Sequence, residues 1–389
     1  MQDLNSRLTP EAKSFESPKL RIITGLVQKV SGINLGQGTC QLPVPQTVVK
    51  HAYAAIEEGL NRYSLPRGLL SARSSIVKKL ARDNRIQGVN PESEVILTCG
   101  ATGAFEIICG ALINSGDKVV FFEPSYPYHL NTAKRYHAEI LTIKLRGENW
   151  DFDVLELEAA LKQRPKFLMI NTPSNPTGKV FTEAELKTIA ALCEKYDTLV
   201  VTDEIYEYMV FDGRKHISPA SLPELRQRTL TIGGYSKTFA ITGWRIGFLV
   251  VPEAISEYFA ALADAIYVCP PSPFQEAIAR SVNELGSEFY AELALKYQAK
   301  RDFFTKSLRD CGFKIINPQG SYYLIADYSA IEANLIPLDF VKFMIEKVKV
   351  GAVPADDFVH NPTHERWVRF CLAVEDSVLE QAAKQLSQF

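Results

Sequence analysis

The sequence contains no apolar run approaching the ~20 residues needed to cross a bilayer. Its opening stretch, Met1 to Phe15, mixes charged and polar groups and holds no hydrophobic signal core. Charge of one sign is not in excess: 43 Lys and Arg against 45 Asp and Glu leave a net charge of -2. Such a balance creates no field for a polyanion, so nucleic acid is not expected as a partner. The seven cysteines (Cys40, Cys99, Cys109, Cys193, Cys269, Cys311, Cys371) are odd in number, scattered and never spaced as CxxC. That pattern argues against a disulfide framework or a thiolate metal site, and the thiols read as reduced core residues of a cytoplasmic protein. The one close histidine pair, His360 and His364, brackets Pro362, which spoils helical i, i+4 ligation. No metal is expected. Low-complexity tracts and internal repeats are absent as well.

What is present is an ordinary globular composition, 46% hydrophobic over 389 residues, enough for a large core and more than one domain. From residue 95 onward, short β-rich runs alternate with helical patterns. The expected strands are Val95 to Thr98, Lys118 to Phe122, Lys166 to Asn171, Thr198 to Thr202, Thr229 to Ile232 and Gly247 to Val251. Several are continuous Val/Ile/Leu/Phe runs, as strands buried on both faces require. Between them, Glu183 to Tyr196 places Leu186, Ile189, Ala190 and Cys193 on one stripe, with Thr182 and Glu185 spaced as a capping box. This alternation predicts an α/β fold with a mostly parallel sheet, whose ligands gather at the carboxyl ends of the strands. The last third reads as a smaller α+β unit: a long helix from Ser287 to Cys311, short strands, a helix near Leu338 to Lys347, a strand near Trp367 to Leu372 and a terminal helix. The expected division is an N-terminal segment 1–45 packed with the small domain, a large domain 46–285 and a small C-terminal domain 286–389.

Four strand-end loops carry unusual residue combinations. Asn171-Thr-Pro-Ser-Asn175-Pro-Thr-Gly178 is a rigid turn in the bland reading and a ligand loop in the sharp one. Asp203 ends an apolar strand, where a carboxylate is costly without a cationic partner; the bland reading makes it a helix cap. Lys237, in Gly233-Gly-Tyr-Ser-Lys-Thr-Phe239, sits among small and apolar neighbours that would desolvate it and make it a better nucleophile toward carbonyls. The bland alternative is a solvated loop lysine. Thr98-Cys-Gly-Ala-Thr-Gly-Ala104 opens a helix whose free N–H groups suit an anion, or else simply packs tightly.

Taken together, in this order and spacing, the four loops resemble the class I and II aminotransferases of the fold-type I pyridoxal phosphate family. The segments HISPASLP and RTLTIGGYSKTF look most like its kynurenine aminotransferase (glutamine transaminase K) branch, and the resemblance runs from Asn34 to Cys371. It implies a fold-type I architecture, pyridoxal 5'-phosphate as cofactor, and ping-pong amino transfer between an amino acid and a 2-oxo acid. Donors of aromatic, kynurenine, glutamine, methionine or aspartate type are implied, with 2-oxoglutarate or a similar acceptor. Lys237 would be the Schiff-base and proton-transfer residue, Asp203 the partner of the ring nitrogen, and Tyr206 and Asn175 donors to the phenolic oxygen. Tyr126 would stack on the ring. Ala101, Thr102, Ser236 and Arg245 would bind the phosphate. Tyr63 would reach the phosphate from a neighbouring subunit, implying a homodimer with shared sites. Arg369 would clamp the substrate carboxylate, with Gly38 giving it close backbone approach.

Two departures stand out. Gly234 replaces the hydroxyl residue usual three positions before the lysine, and Ser64 to Gly68 lacks the family's small-residue look.

Rival readings fare worse. Gly36-Gln-Gly38 is followed by Thr-Cys-Gln and so fails the dinucleotide fingerprint, and Gly178-Lys179 lacks the rest of an ATP-binding loop. The nearest alternative is a cysteine-conjugate β-lyase using the same lysine. A non-catalytic cofactor-binding regulator would predict loss of Lys237, Asp203 or Arg369, and all three are present.

Overall fold

The computed structural model describes residues 4–9, 12–13 and 19–389. Its larger sheet has seven strands: β1 (Val95–Thr98), β2 (Lys118–Glu123), β3 (Glu139–Lys144), β4 (Phe167–Asn171), β5 (Leu199–Asp203), β6 (Thr229–Gly234) and β7 (Gly247–Val250). In space they run β1-β7-β6-β5-β4-β2-β3. All pairings are parallel except the two made by β7. Because β7 is antiparallel to both neighbours, β1 again points the same way as β6. The carboxyl ends of β1, β2, β4, β5 and β6 therefore share one edge, and the four unusual loops leave from it.

Every strand expected from the sequence is present, with ends shifted by a residue or two. The edge strand β3 was not expected: Glu139-Ile-Leu-Thr-Ile-Lys144 is half-exposed and lacks the continuous apolar run of its neighbours. The central strands are apolar without interruption because the sheet is covered on both sides. Phe167, Met169 and Val201 pack to one face with Phe105, Ile108 and Phe259. Leu168, Ile170 and Val200 pack to the other with Leu186, Ile189 and Cys193. Period-two alternation between two apolar layers is what a doubly covered strand requires.

Helix α4 (Glu183–Lys195) starts at the expected capping box. Thr182 Oγ1 accepts from Glu185 N at 3.3 Å, and Glu185 Oε2 accepts from Thr182 N at 2.8 Å. Glu185 also takes the ammonium of Lys179 at 2.6 Å, which ties the helix start to the loop after β4. Helix α2 (Gly100–Leu112) follows β1 directly, α3 (Pro127–Arg135) follows β2, and α1 (Leu70–Asp83) precedes β1.

A second sheet is antiparallel, in the order β10-β11-β9-β8: β8 (Lys314–Ile315), β9 (Tyr323–Asp327), β10 (Val353–Pro354) and β11 (Trp367–Cys371). The long helix α5 (Ser287–Asp310) and the terminal helix α6 (Asp376–Leu386) contribute Phe304, Leu308 and Leu379 to the apolar cluster over it. Ile33 and Asn34 pair in parallel with Val350 and Gly351, and Ile23 and Val27 join the same cluster. No helix among the described residues is long and apolar enough to cross a membrane.

The turn after β5 is anchored from outside the sheet. Lys79 of α1, only 1% exposed, forms an ion pair with Glu207, whose other oxygen accepts from Asn84 at 2.7 Å. Removing one partner of such a pair leaves the other charge buried and uncompensated. Lys79→Met should therefore destabilise the protein by about 3–5 kcal/mol, read as a lower urea midpoint. Thr182→Ala, which removes only the α4 cap, should cost about 1 kcal/mol.

Candidate active site

The cleft at the sheet edge is built from the strand ends inward. Adjacent register places Asn171 of β4 beside Asp203 of β5, and Asp203 beside Ile232 of β6. Asn171 Nδ2 donates to the Asp203 carbonyl oxygen at 2.9 Å, and its Oδ1 accepts from Asn175 N at 2.7 Å. The amide thus folds the Asn175 loop back over the strand ends. Thr172-Pro173 and Asn175-Pro176 are both cis.

Asp203 is 3% exposed, and its carboxylate has two partners. Oδ1 accepts from Ile205 N at 3.1 Å, and Oδ2 lies 3.2 Å from His129 Nε2. The local cap expected of a strand-end aspartate is thus present, closing a turn rather than a helix. His129 was not singled out in the sequence. It sits on α3, three residues after Tyr126, so both side chains share a helix face. Its ring packs on Phe105 at 4.6 Å and edge-on to Tyr126 at 5.1 Å, leaving Nδ1 buried with no partner. The available signal was the cost of burying Asp203, which called for a nitrogen nearby.

The turn Glu204 to Tyr208 alternates inward and outward. Asp203 and Tyr206 line the cleft. Glu204 faces away, accepting from Ser218 Oγ at 2.8 Å and Thr202 Oγ1 at 3.1 Å, with His216 Nε2 2.7 Å from its other oxygen. Glu207 meets Lys79 as described. Every carboxylate oxygen of this outer pair has a protein partner.

Lys237 enters from the loop after β6. Burial pushes its amine below the ordinary lysine value. Nζ donates to the Gly38 carbonyl oxygen at 3.2 Å and lies 5.9 Å from the centre of the Tyr322 ring. The desolvated lysine expected from its small and apolar neighbours is what the fold produces.

At the anion end, Ala101 and Thr102 open α2, where backbone N–H groups lack helical partners. Arg245 adopts φ 57° and donates to the carbonyl oxygens of Thr242 at 3.0 Å and Cys99 at 3.3 Å. A side chain at Gly100 would come within 2.5 Å of the Arg245 guanidinium, so glycine there lets the arginine lie across the helix start. Ser236 is buried beside them. Gly234 has a packing reason: a Cβ would lie 3.1 Å from Gly247 Cα and 3.2 Å from Ile246 O on the paired strand β7. A larger residue there would need its neighbours to give by a few tenths of an ångström.

Ala101, Thr102, Tyr126, Asn175, Asp203, Tyr206, Ser236, Lys237 and Arg245 all line one cleft enclosing about 660 Å³ of empty space, mouth included. Arg369 reaches its rim from β11. Nη1 donates to Asn175 Oδ1 at 2.9 Å and Nη2 to the Gly36 carbonyl oxygen at 2.6 Å, while Nε–H is buried without an acceptor. On a residue only 5% exposed, that leaves one guanidinium donor able to take an acceptor such as a carboxylate. At Gly38, a Cβ would lie 2.2 Å from the Tyr323 hydroxyl, so that hydroxyl holds the space a side chain would need. Tyr63 is 85% exposed and does not line the cleft of the single chain. Tyr322 and Tyr323 were also missed, because β9 reads as an ordinary apolar strand.

The cleft can therefore hold an anion at one end, a flat ring between Tyr126 and the strand ends, a carbonyl at the lysine and a carboxylate at Arg369. The buried His129–Asp203 pair, the open helix start and the unpaired Nε–H each fit a part of pyridoxal phosphate or its amino acid substrate. Comparison with known proteins agrees. The family profile of aminotransferase class I and II matches residues 30–386, a span that includes every one of these residues. Bovine kynurenine–oxoglutarate transaminase 3 is 33% identical over 393 residues, covering 92% of this chain and 85% of the relative. Among solved structures, an Escherichia coli protein with methionine aminotransferase function superposes with a TM-score of 0.93 at 27% identity, covering 98% and 99% of the two chains. N-succinyldiaminopimelate aminotransferase from Mycobacterium tuberculosis also gives 0.93, at 29% identity and the same coverage. The chain belongs to the class I and II aminotransferases, pyridoxal phosphate-dependent enzymes that transfer an amino group between an amino acid and a 2-oxo acid.

Proposed function

We propose that Lys237, Asp203, Tyr206 and Arg369 carry the transamination, with an uncharged amino acid as preferred donor. When bound, pyridoxal phosphate supplies a carbonyl for amines and a ring that accepts the electron pair left on the substrate's α-carbon. Lys237 Nζ, whose pKa burial lowers, would hold the cofactor through its carbonyl carbon and would be the base that takes the proton from the substrate's α-carbon. The Asp203 carboxylate, fixed by His129 Nε2 and Ile205 N–H, would hold the ring nitrogen and favour its protonated form. The phenol of Tyr206 stays protonated because burial raises its pKa well above the ordinary value, so it and Asn175 Nδ2 would be the donors to the cofactor's phenolic oxygen. Tyr126 covers the ring face. Ala101, Thr102, Ser236 and Arg245 hold the phosphate. Arg369 takes the substrate carboxylate on its free N–H edge, while Gly38 keeps the backbone close. The observation that carries this reading is the convergence on one cleft of a desolvated amine and a buried acid from separate strand ends.

Beyond Lys237 and Arg245, no lysine or arginine among the described residues lines the cleft, apart from Arg369 at its rim. The cleft lining itself therefore offers no further cation to a distal carboxylate. That favours aromatic, kynurenine, glutamine or methionine side chains over aspartate, in keeping with the kynurenine and methionine activities named for two of the relatives. We place the enzyme in the cytoplasm, on the strength of seven free thiols. We read it as a homodimer in which Tyr63 completes the neighbouring phosphate site; the exposure of Tyr63 and Leu65 supports this. The division at residues 45 and 285 is kept as the domain reading, supported by the separate sheets.

Three outcomes are expected. Lys237→Ala should remove the lysine-dependent visible band of the holoenzyme and nearly all turnover; full activity in that variant would end the assignment. In single-turnover mixing, aromatic amino acids, methionine and glutamine should convert the cofactor band faster than aspartate, and the reverse order would sink the donor class. The third concerns the apoprotein. Folded Lys237 sheds its proton at lower pH than the unfolded chain does, so unfolding takes up a proton between those values. Stability relative to Lys237→Met should climb as pH rises toward the ordinary lysine value and level off above it. A flat difference in melting temperature would refute the desolvated amine.

A further inference from the structure

Tyr206 lines the cleft, and two further phenols, Tyr322 and Tyr323, pack against it from behind. Each is at most 4% exposed. Tyr322 donates its only proton to the Gly38 carbonyl oxygen at 2.9 Å. Tyr206 donates to the Tyr323 oxygen at 3.2 Å. Tyr323 therefore accepts from Tyr206 and keeps a proton of its own.

The place of the Tyr323 hydroxyl is reserved from the other side. Any side chain at residue 38 would collide with it, since a Cβ would stand 2.2 Å away. The ring of Tyr323 has a separate partner. On the β9–β11 ladder Tyr323 faces Cys371 and Ile325 faces Arg369, so Tyr323 and Arg369 are diagonal neighbours on one face. The guanidinium carbon lies 4.1 Å from the ring centre, with Phe358 at 4.9 Å. A cation that is also desolvated gains more from such a ring than an exposed one does.

We propose that Tyr323 is a positioning residue that serves both ends of the amino acid site: its ring seats Arg369, and its hydroxyl backs the donation of Tyr206 into the cleft. The proposal rests on the roles given above to Tyr206 and Arg369. A phenol has one proton. When Tyr206 turns that proton toward an anionic oxygen in the cleft, its own oxygen loses nothing, because Tyr323 can rotate its O–H to donate to it. The pair stays bonded in either arrangement, and the second bond polarises the first and strengthens it. Burial raises both phenols above the ordinary tyrosine value, so both remain O–H donors through the neutral range. Phenylalanine at 323 would keep the ring under Arg369 and remove only the relay.

The test uses the holoenzyme and reads the pH midpoint of its visible band. That midpoint marks loss of the proton shared by the phenolic oxygen and the lysine-linked nitrogen, so weaker donation to the oxygen raises it. Tyr323→Phe should raise the midpoint by about half a unit or more. The donor KM should stay within about twofold, because the ring contact is kept. In a Tyr206→Phe background, which itself raises the midpoint, adding Tyr323→Phe should change it no further. Tyr323→Leu removes ring and hydroxyl together. It should raise the midpoint and weaken binding of 3-phenylpropionate, a carboxylate probe, about tenfold. Gly38→Ala, which would push the hydroxyl aside while leaving residue 323 a tyrosine, should also raise the midpoint. A parent midpoint in Tyr323→Phe, or a shift that persists undiminished without the Tyr206 hydroxyl, overturns the proposal while leaving the functional reading intact. A band that survives Lys237→Ala would sink that reading and the proposal together.

Discussion

A carboxylate withdrawn from water at the end of a buried strand is the constraint on which the site depends. Asp203 sits at the edge of a sheet covered on both faces, where an uncompensated charge would cost several kcal/mol. The fold answers with the Ile205 N–H on one oxygen and His129 on the other. Those two bonds fix the direction of the carboxylate, and they need α3 to deliver His129 and the β5 turn to deliver Ile205. A ring nitrogen held against that group is a natural third partner. On the reading proposed above, a carboxylate stands where an apolar residue would pack more cheaply because the chemistry would use it there.

The turn after β5 shows how rigidity reaches the cleft. Its residues alternate between two environments, with Asp203 and Tyr206 inside and Glu204 and Glu207 outside. The outer acids are bonded to Lys79, Asn84, Thr202, Ser218 and His216, contributed by α1 and by segments on both sides of the turn. A turn pinned on its outer face has little freedom left on its inner face, which is what positioning within a fraction of an ångström demands. The glycine contacts between β6, β7 and the start of α2 act in the same direction, drawing the phosphate end and the lysine loop close together.

Arg369 joins the two sheets chemically. It stands on β11 of the antiparallel sheet, yet donates to Asn175 from the β4 loop and to Gly36 from the N-terminal stretch. Its guanidinium lies over Tyr323, which in turn meets Tyr206. Both sheets and the N-terminal stretch are thereby connected through two tyrosines and one arginine.

The sequence by itself determined the strand positions, because strands buried on both faces need unbroken apolar runs, and the α4 start, because a capping box is a local hydrogen-bond pattern. It also marked Lys237, Asp203, Asn175 and the α2 start, since each is a residue type out of place in its immediate surroundings. The half-exposed edge strand β3 was invisible for the converse reason: with one neighbour and a wet face it carries no continuous apolar signal. Only the tertiary structure decided that His129 would meet Asp203, that Lys79 would be buried against Glu207, that Gly234 would lie tight against Gly247, and that Tyr323 would fill the space beside Gly38. Those partners are separated by tens to hundreds of residues, and side chains that meet only through sheet register and helix packing leave no periodic trace in the chain.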